Sequence, residues 1–353
     1  MSLTPFENPL FALFEDRAIS DLFVPARTLA LYNEVEAALV RAAAAEGIVS
    51  REAEARVLSV LADFAPDPHR LAEGSRRDGV PIPGYVRALR EAVGEPHAGA
   101  AHIGSTTQDI MDTARALTLR EANNVLARRL ASLIAALGTL DDRFGDAPLM
   151  GRTRMQAALP ITAGHRIAAW RRPLVRQQDR FAAARKSVEC LQFGGAVGTR
   201  DGWGGQGDAI ARRMAETLAL AEPGAAWHTE RDGIAHYGGW LATTAAALGK
   251  FGQDIALMTQ QGLGEATVAG GGGSSAMPHK QNPVGAEAMV SLARVTAGHG
   301  AALHHAAVAE QERSGIAWAI EWMVLPQLVT ATGAALLIAG DLTSAITRLG
   351  GPA

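Results

Sequence analysis

Residues 270–287 read GGGGSSAMPHKQNPVGAE, and they bring two hydroxyls, an ammonium and a carboxamide (Ser274, Ser275, Lys280 and Asn282) into nine residues. Such groups hold and polarise a carboxylate. Gly270 to Gly273 let the backbone move and approach a ligand closely, while Pro278 and Pro283 stiffen the second half. A passive linker is polar and repetitive and has no need of the Met-Pro-His-Lys-Gln-Asn-Pro tail. Order excludes a phosphate-binding P-loop, in which Lys directly precedes Ser or Thr, because here the serines come first.

Two further stretches carry comparable chemistry. Residues 102–113, HIGSTTQDIMDT, form a hydroxyl-rich opening to a long helix, with Thr106, Thr107 and Asp109 of the types that start helices. These groups cap a helix, and a capped helix start also offers free N–H groups to an anion. Residues 149–164, LMGRTRMQAALPITAG, gather Arg152, Thr153, Arg154 and Gln156 between apolar flanks, broken by Gly151 and Pro160. Two guanidiniums there suit either a bound polycarboxylate or internal ion pairs, and the residues leave both open. Arg313 lies in a fourth stretch, ERSGIAWAIEWMVLP, at 312–326.

Helices must position these clusters. The 353 residues are 48% hydrophobic and only 5% aromatic, with Ala and Leu dominant, a balance that favours helix over sheet. Leu126, Leu130, Leu133, Leu137 and Leu140 repeat at 4-3-4-3, the period of a packed helix bundle. We expect an all-α protein with five long helices and no convincing strands: a small N-terminal helical domain at 1–101, then a central bundle at 102–353 carrying the loop 270–283. Pro66, Pro68, Pro81 and Pro83 suggest an irregular stretch inside the first. A net charge of −3 points to neither nucleic acid nor an anionic membrane. The single cysteine, Cys190, fits a reducing compartment as a small buried apolar residue. No signal-peptide pattern and no apolar run of ~18 residues is visible, so a cytoplasmic, soluble protein is expected. No metal-ligand spacing occurs, and no cofactor is expected.

The three polar clusters on one helical scaffold resemble the fumarase/aspartase superfamily, whose signature loop has the form G-S-S-x-M-P-x-K-x-N-P. Residues 273–283, GSSAMPHKQNP, match it at every fixed position. The resemblance extends to the order and spacing of all three regions. It implies that Ser274 takes a proton next to a carboxylate and that Lys280 and Asn282 bind that carboxylate and stabilise its aci form. It further implies substrate-binding roles for Thr106, Thr107 and Gln156, and supporting roles for Ser275 and Glu287. Within the superfamily, adenylosuccinate lyases read G-R-T-H in the second region and use that histidine as general acid; here the position is Arg154, which practically cannot shuttle a proton. Pro81-Ile82-Pro83 and the stretch from Glu312 through Trp318, Glu321-Trp322 and Leu325-Pro326 are instead similar to the 3-carboxy-cis,cis-muconate cycloisomerases. That resemblance implies a conjugated tricarboxylate as substrate, with Arg154 and Arg313 on its carboxylates. His102 is then the candidate auxiliary acid or base, the alternative being a histidine that caps the helix start. It also implies a homotetramer whose sites combine residues of different chains. The superfamily's C-terminal third domain is expected to be reduced or absent. An adenylosuccinate or related C–N lyase is the alternative enzyme, and a non-catalytic helical relative the alternative of another class.

Overall fold

The computed structural model describes residues 9–273, 276–277 and 279–351. A one-turn helix, α1 (Arg17–Ser20), leads into α2 (Pro25–Ala45), where Pro25 occupies the first turn and a left-handed Gly47 follows the end. Ser50 caps α3 (Arg51–Leu61) by accepting from the Ala53 N–H. The stretch expected to be irregular holds two helices instead, α4 (Pro68–Asp78) and α5 (Ile82–Val93). Pro68 and Pro83 lie in their first turns and Pro81 is the N-cap of α5, positions where the missing N–H removes no helical bond.

α6 (Thr107–Phe144) is the spine. Its 38 residues span about 57 Å at 1.5 Å per residue. A hairpin, β1 (Pro148–Thr153) and β2 (Gln156–Thr162), turns the chain into α7 (Ala163–Lys186), which returns along α6. The short α8 (Gly207–Leu218) packs against α2. α9 (Asp232–Met258), β3 (Ala266–Val268), α10 (Val284–Ala306), α11 (Ile316–Ala345) and β4 (Ile346–Leu349) complete the order, and β3 pairs antiparallel with β4. The long-helix bundle is as expected, but the two ribbons are a correction. They lie beyond helix ends, where the chain reverses and backbone groups need partners.

The apolar interior forms two clusters. α2, α3, α5, α8 and the first part of α6 to Leu117 build one; Leu119 onward, with α7, α9, α10 and α11, builds the other. The leucine ladder of α6 from Leu126 to Leu140 is almost fully buried in the second. α11 also departs from expectation, since it is long and apolar enough by length and composition to cross a membrane. It packs on α6, α9 and α10, and a helix surrounded by other helices is apolar on all sides.

Candidate active site

Thr106 is the N-cap of α6, and it forms a reciprocal capping box with Asp109, whose carboxylate accepts from the Thr106 N–H at 3.0 Å. The same carboxylate accepts from the N–H groups of Gly194 and Gly195, both at 2.9 Å, and meets His228 Nε2 at 3.0 Å. Asp109 thus ties the loop 193–199 and the approach to α9 onto the start of α6. One turn further, buried Asp112 accepts from Arg231 Nη1 at 2.8 Å and from Trp318 Nε1 at 2.9 Å. Glu321 takes Arg231 Nε at 2.8 Å and Arg115 Nη1 at 2.6 Å. This network joins the N-terminal parts of α6 and α11 and the N-cap of α9. Burial alone would raise the Asp112 carboxyl. The Arg231 and Arg115 guanidiniums, with hydrogen bonds from Trp318 and Gln108, nevertheless hold it below the usual carboxylate range.

On this platform the exposed Arg313 donates to Thr106 Oγ1 at 2.5 Å, so a guanidinium stands over the positive end of α6. His102, four residues earlier, has its Nδ1 2.6 Å from Glu36 Oε1, and its backbone N–H reaches Glu36 Oε2 at 3.1 Å. Thr107 follows Thr106, half-buried in the first helical turn. His102, Thr106, Thr107 and Arg313 therefore gather at one end of the bundle.

The other predicted residues gather at the opposite end. Arg154 and Met155 form the two-residue tip of the hairpin, flanked by the Thr153–Gln156 pair. Both have left-handed φ, +50° and +69°. Such tips favour Asn-Gly, and non-glycine residues held there are strained at a cost of about 1–3 kcal/mol each. Arg152 and Arg154 separate the two possibilities left open above. Arg152 pairs internally with Glu265, whereas Arg154 is exposed and has no ion pair among the described residues, and Gln156 is likewise exposed. The start of the hairpin and the segment leading through β3 to the signature loop are both tied to the end of β4, because the Gly350 N–H bonds the Glu265 carbonyl and the Gly351 N–H bonds that of Pro148.

The loop is closed by two backbone hydrogen bonds between Gly272 and Asn282, at 3.0 and 2.8 Å. A Cβ at Gly272 would lie 2.4 Å from Val284 Cγ2, so only glycine fits. Lys280 is exposed, its N–H bonded to the Met277 carbonyl at 3.0 Å. Glu287 is exposed in the first turn of α10, where its charge suits the helix dipole. Ser274 and Ser275 lie outside the described residues. Among the described residues there is no group of three or more His, Cys, Asp or Glu placed to hold a metal.

One chain therefore brings His102, Thr106, Thr107 and Arg313 together at one end, and Arg154, Gln156, Lys280, Asn282 and Glu287 at the other, separated by the length of α6. Sequence reasoning missed Glu36. The signal for it was a carboxylate on the apolar stripe of α2, beside Val35 and between Tyr32 and Leu39.

The lyase family model matches residues 4–298. The 3-carboxy-cis,cis-muconate cycloisomerase of Pseudomonas aeruginosa is 37% identical over 97% of this chain and 73% of its own. The nitrosuccinate lyase of Streptomyces davaonensis is 38% identical over 94% of this chain and 72% of its own. The crystal structure of the 3-carboxy-cis,cis-muconate lactonizing enzyme from Pseudomonas putida superposes with a TM-score of 0.89 at 34% identity, over 97% of this chain and 77% of that one. Members of the superfamily to which these matches lead act on small molecules and oligomerise. With the bundle and the helix-start platform in place, and the signature sequence at residues 273–283, the chain belongs to the fumarase/aspartase superfamily of lyases.

Proposed function

We propose that the protein is a cytoplasmic cycloisomerase that interconverts 3-carboxy-cis,cis-muconate and a carboxymuconolactone, a step in the breakdown of protocatechuate. Similarity to cycloisomerases over nearly the whole chain carries this reading, and Arg154 stands where adenylosuccinate lyases have their acid histidine. In lactone formation one carboxylate oxygen bonds to a carbon of the diene, and a proton adds at the carbon beside another carboxylate. In reverse this is a β-elimination: the α-proton leaves, the aci-carboxylate forms, and the ring carboxylate is expelled.

Ser274 transfers the proton, with Ser275 beside it. Lys280 and Asn282 stabilise the developing aci-carboxylate, each such donor being worth about 3 kcal/mol in a dry site. Thr106, Thr107 and Gln156 bind the substrate, Arg154 and Arg313 hold its remaining carboxylates, and Glu287 supports the loop. His102 supplies the auxiliary acid or base. Because one chain places these groups at opposite ends of a 38-residue helix, the site is assembled between chains of a homotetramer. A second reading has one specific observation behind it, the 38% identity to a nitrosuccinate lyase, whose name describes an elimination from a dicarboxylate.

Ultraviolet absorbance of the purified protein with 3-carboxy-cis,cis-muconate tests the proposal, with nitrosuccinate and adenylosuccinate in parallel. Rapid loss of the diene band, with the other two untouched, is expected. A stable diene band with nitrite or fumarate released from the others would overturn it.

A further inference from the structure

Glu36 is a carboxylate buried to 1% exposure on a helix face that is otherwise apolar. A buried charge is costly unless it is paired and hydrogen-bonded. The hydroxyl of nearby Tyr85 is committed elsewhere, donating to Asn33 Oδ1 at 2.8 Å. Among the described residues, the only ion-pair partner of Glu36 is His102. Both carboxylate oxygens grip that one residue, Oε1 on the ring Nδ1 at 2.6 Å and Oε2 on the backbone N–H at 3.1 Å. His102 adopts a left-handed φ of +58° in this grip, a conformation an L-residue rarely takes. Anchoring the backbone of residues 98–106 to α2 needs only the second of these bonds. The first acts on the imidazole alone.

We propose that Glu36 is a positioning residue for the reaction: it fixes the tautomer and orientation of the His102 ring and leaves Nε2 as the nitrogen that faces substrate. This rests on the reading in which His102 is the auxiliary acid or base. A carboxylate can only accept, so the ring presents Nδ1–H to Glu36. Nε2 has no hydrogen-bond partner among the described residues, and the side chain keeps 12% of its surface exposed. The ring lies four residues from Thr106, on which Arg313 rests. Glu36 also stabilises the imidazolium that forms whenever Nε2 takes a proton, as a carboxylate behind a catalytic imidazole does.

The test is E36Q, whose carboxamide oxygen still accepts from the backbone N–H while its NH2 donates to Nδ1 and forces the ring proton onto Nε2. Nitrogen NMR of histidine-labelled protein reads this without any substrate. The resonance absent from H102N is expected to change from the Nδ1–H to the Nε2–H pattern in E36Q, with assembly intact. An unchanged pattern overturns the tautomer claim. Kinetics then read its use: kcat falls about 10²-fold in E36Q with KM within about twofold, and E36Q adds nothing in the H102N background. A normal kcat in E36Q, or a loss additive with H102N, would show that Glu36 only anchors the backbone. Failure of the proposed function is seen separately, as an inactive wild-type protein with the NMR result still decisive for the geometry.

Discussion

Replacing Arg231 by methionine should produce a stability loss that shrinks in acid. Arg231 is 3% exposed and bridges Asp112 and Glu321, which are 0% and 1% exposed. Methionine preserves much of the volume but leaves two buried carboxylates with only Arg115 between them. Breaking a buried pair from one side costs about 3–5 kcal/mol. An unfolding entropy of about 2.1 cal/mol/K per residue over 353 residues is roughly 0.74 kcal/mol/K, so the melting midpoint at pH 7 should drop by ~4–7 °C.

The pH dependence follows from the sign of the Asp112 shift. In the wild type its carboxyl is held below 3.8, so its contribution is present above that pH and is lost as pH falls through the lower, folded-state value. Without Arg231, burial dominates and Asp112 takes up its proton at higher pH, which neutralises the orphaned charge. Calorimetry of both proteins from pH 7 to pH 4 should therefore show the gap between their midpoints narrowing. A gap that is small at pH 7, or constant with pH, would refute the claim that Arg231 neutralises these carboxylates.

Two other substitutions probe the loop and the hairpin. G272A places a methyl 2.4 Å from Val284 Cγ2, and overpacking of that kind costs about 1–3 kcal/mol; kcat should fall as the Gly272–Asn282 bridge is displaced, and full activity would show that the loop base has no role. R154M should leave the stability unchanged to within about 0.5 kcal/mol, because Arg154 is exposed and has no ion pair among the described residues, yet it should weaken substrate binding, read as a raised KM.

The sequence was most informative where function sits in a contiguous stretch. GSSAMPHKQNP is local, and so is the Thr106 to Asp109 capping box, whose partners are three residues apart. The leucine ladder of α6 was equally plain, since burial imposes its period. Partners distant in the chain were invisible: His102 with Glu36 are 66 residues apart, and Arg231 with Asp112 are 119 apart. The hairpin was missed because Gly151 and Pro160 resemble breakers and because Arg154-Met155 lacks the Asn-Gly that usually announces a two-residue turn. The distinct fates of Arg152 and Arg154 needed the structure, since only the fold brings Glu265 to one of them.

The central claim is that the site is shared between chains. It is tested most directly by mixing two inactive variants, R313M at one end of the bundle and K280M at the other. After joint dissociation and reassembly the mixture should regain diene-consuming activity, because some sites in mixed oligomers receive Arg313 from one chain and Lys280 from another. Mixed oligomers that form and stay inactive would contradict the account, and would mean that each chain supplies both groups to its own site.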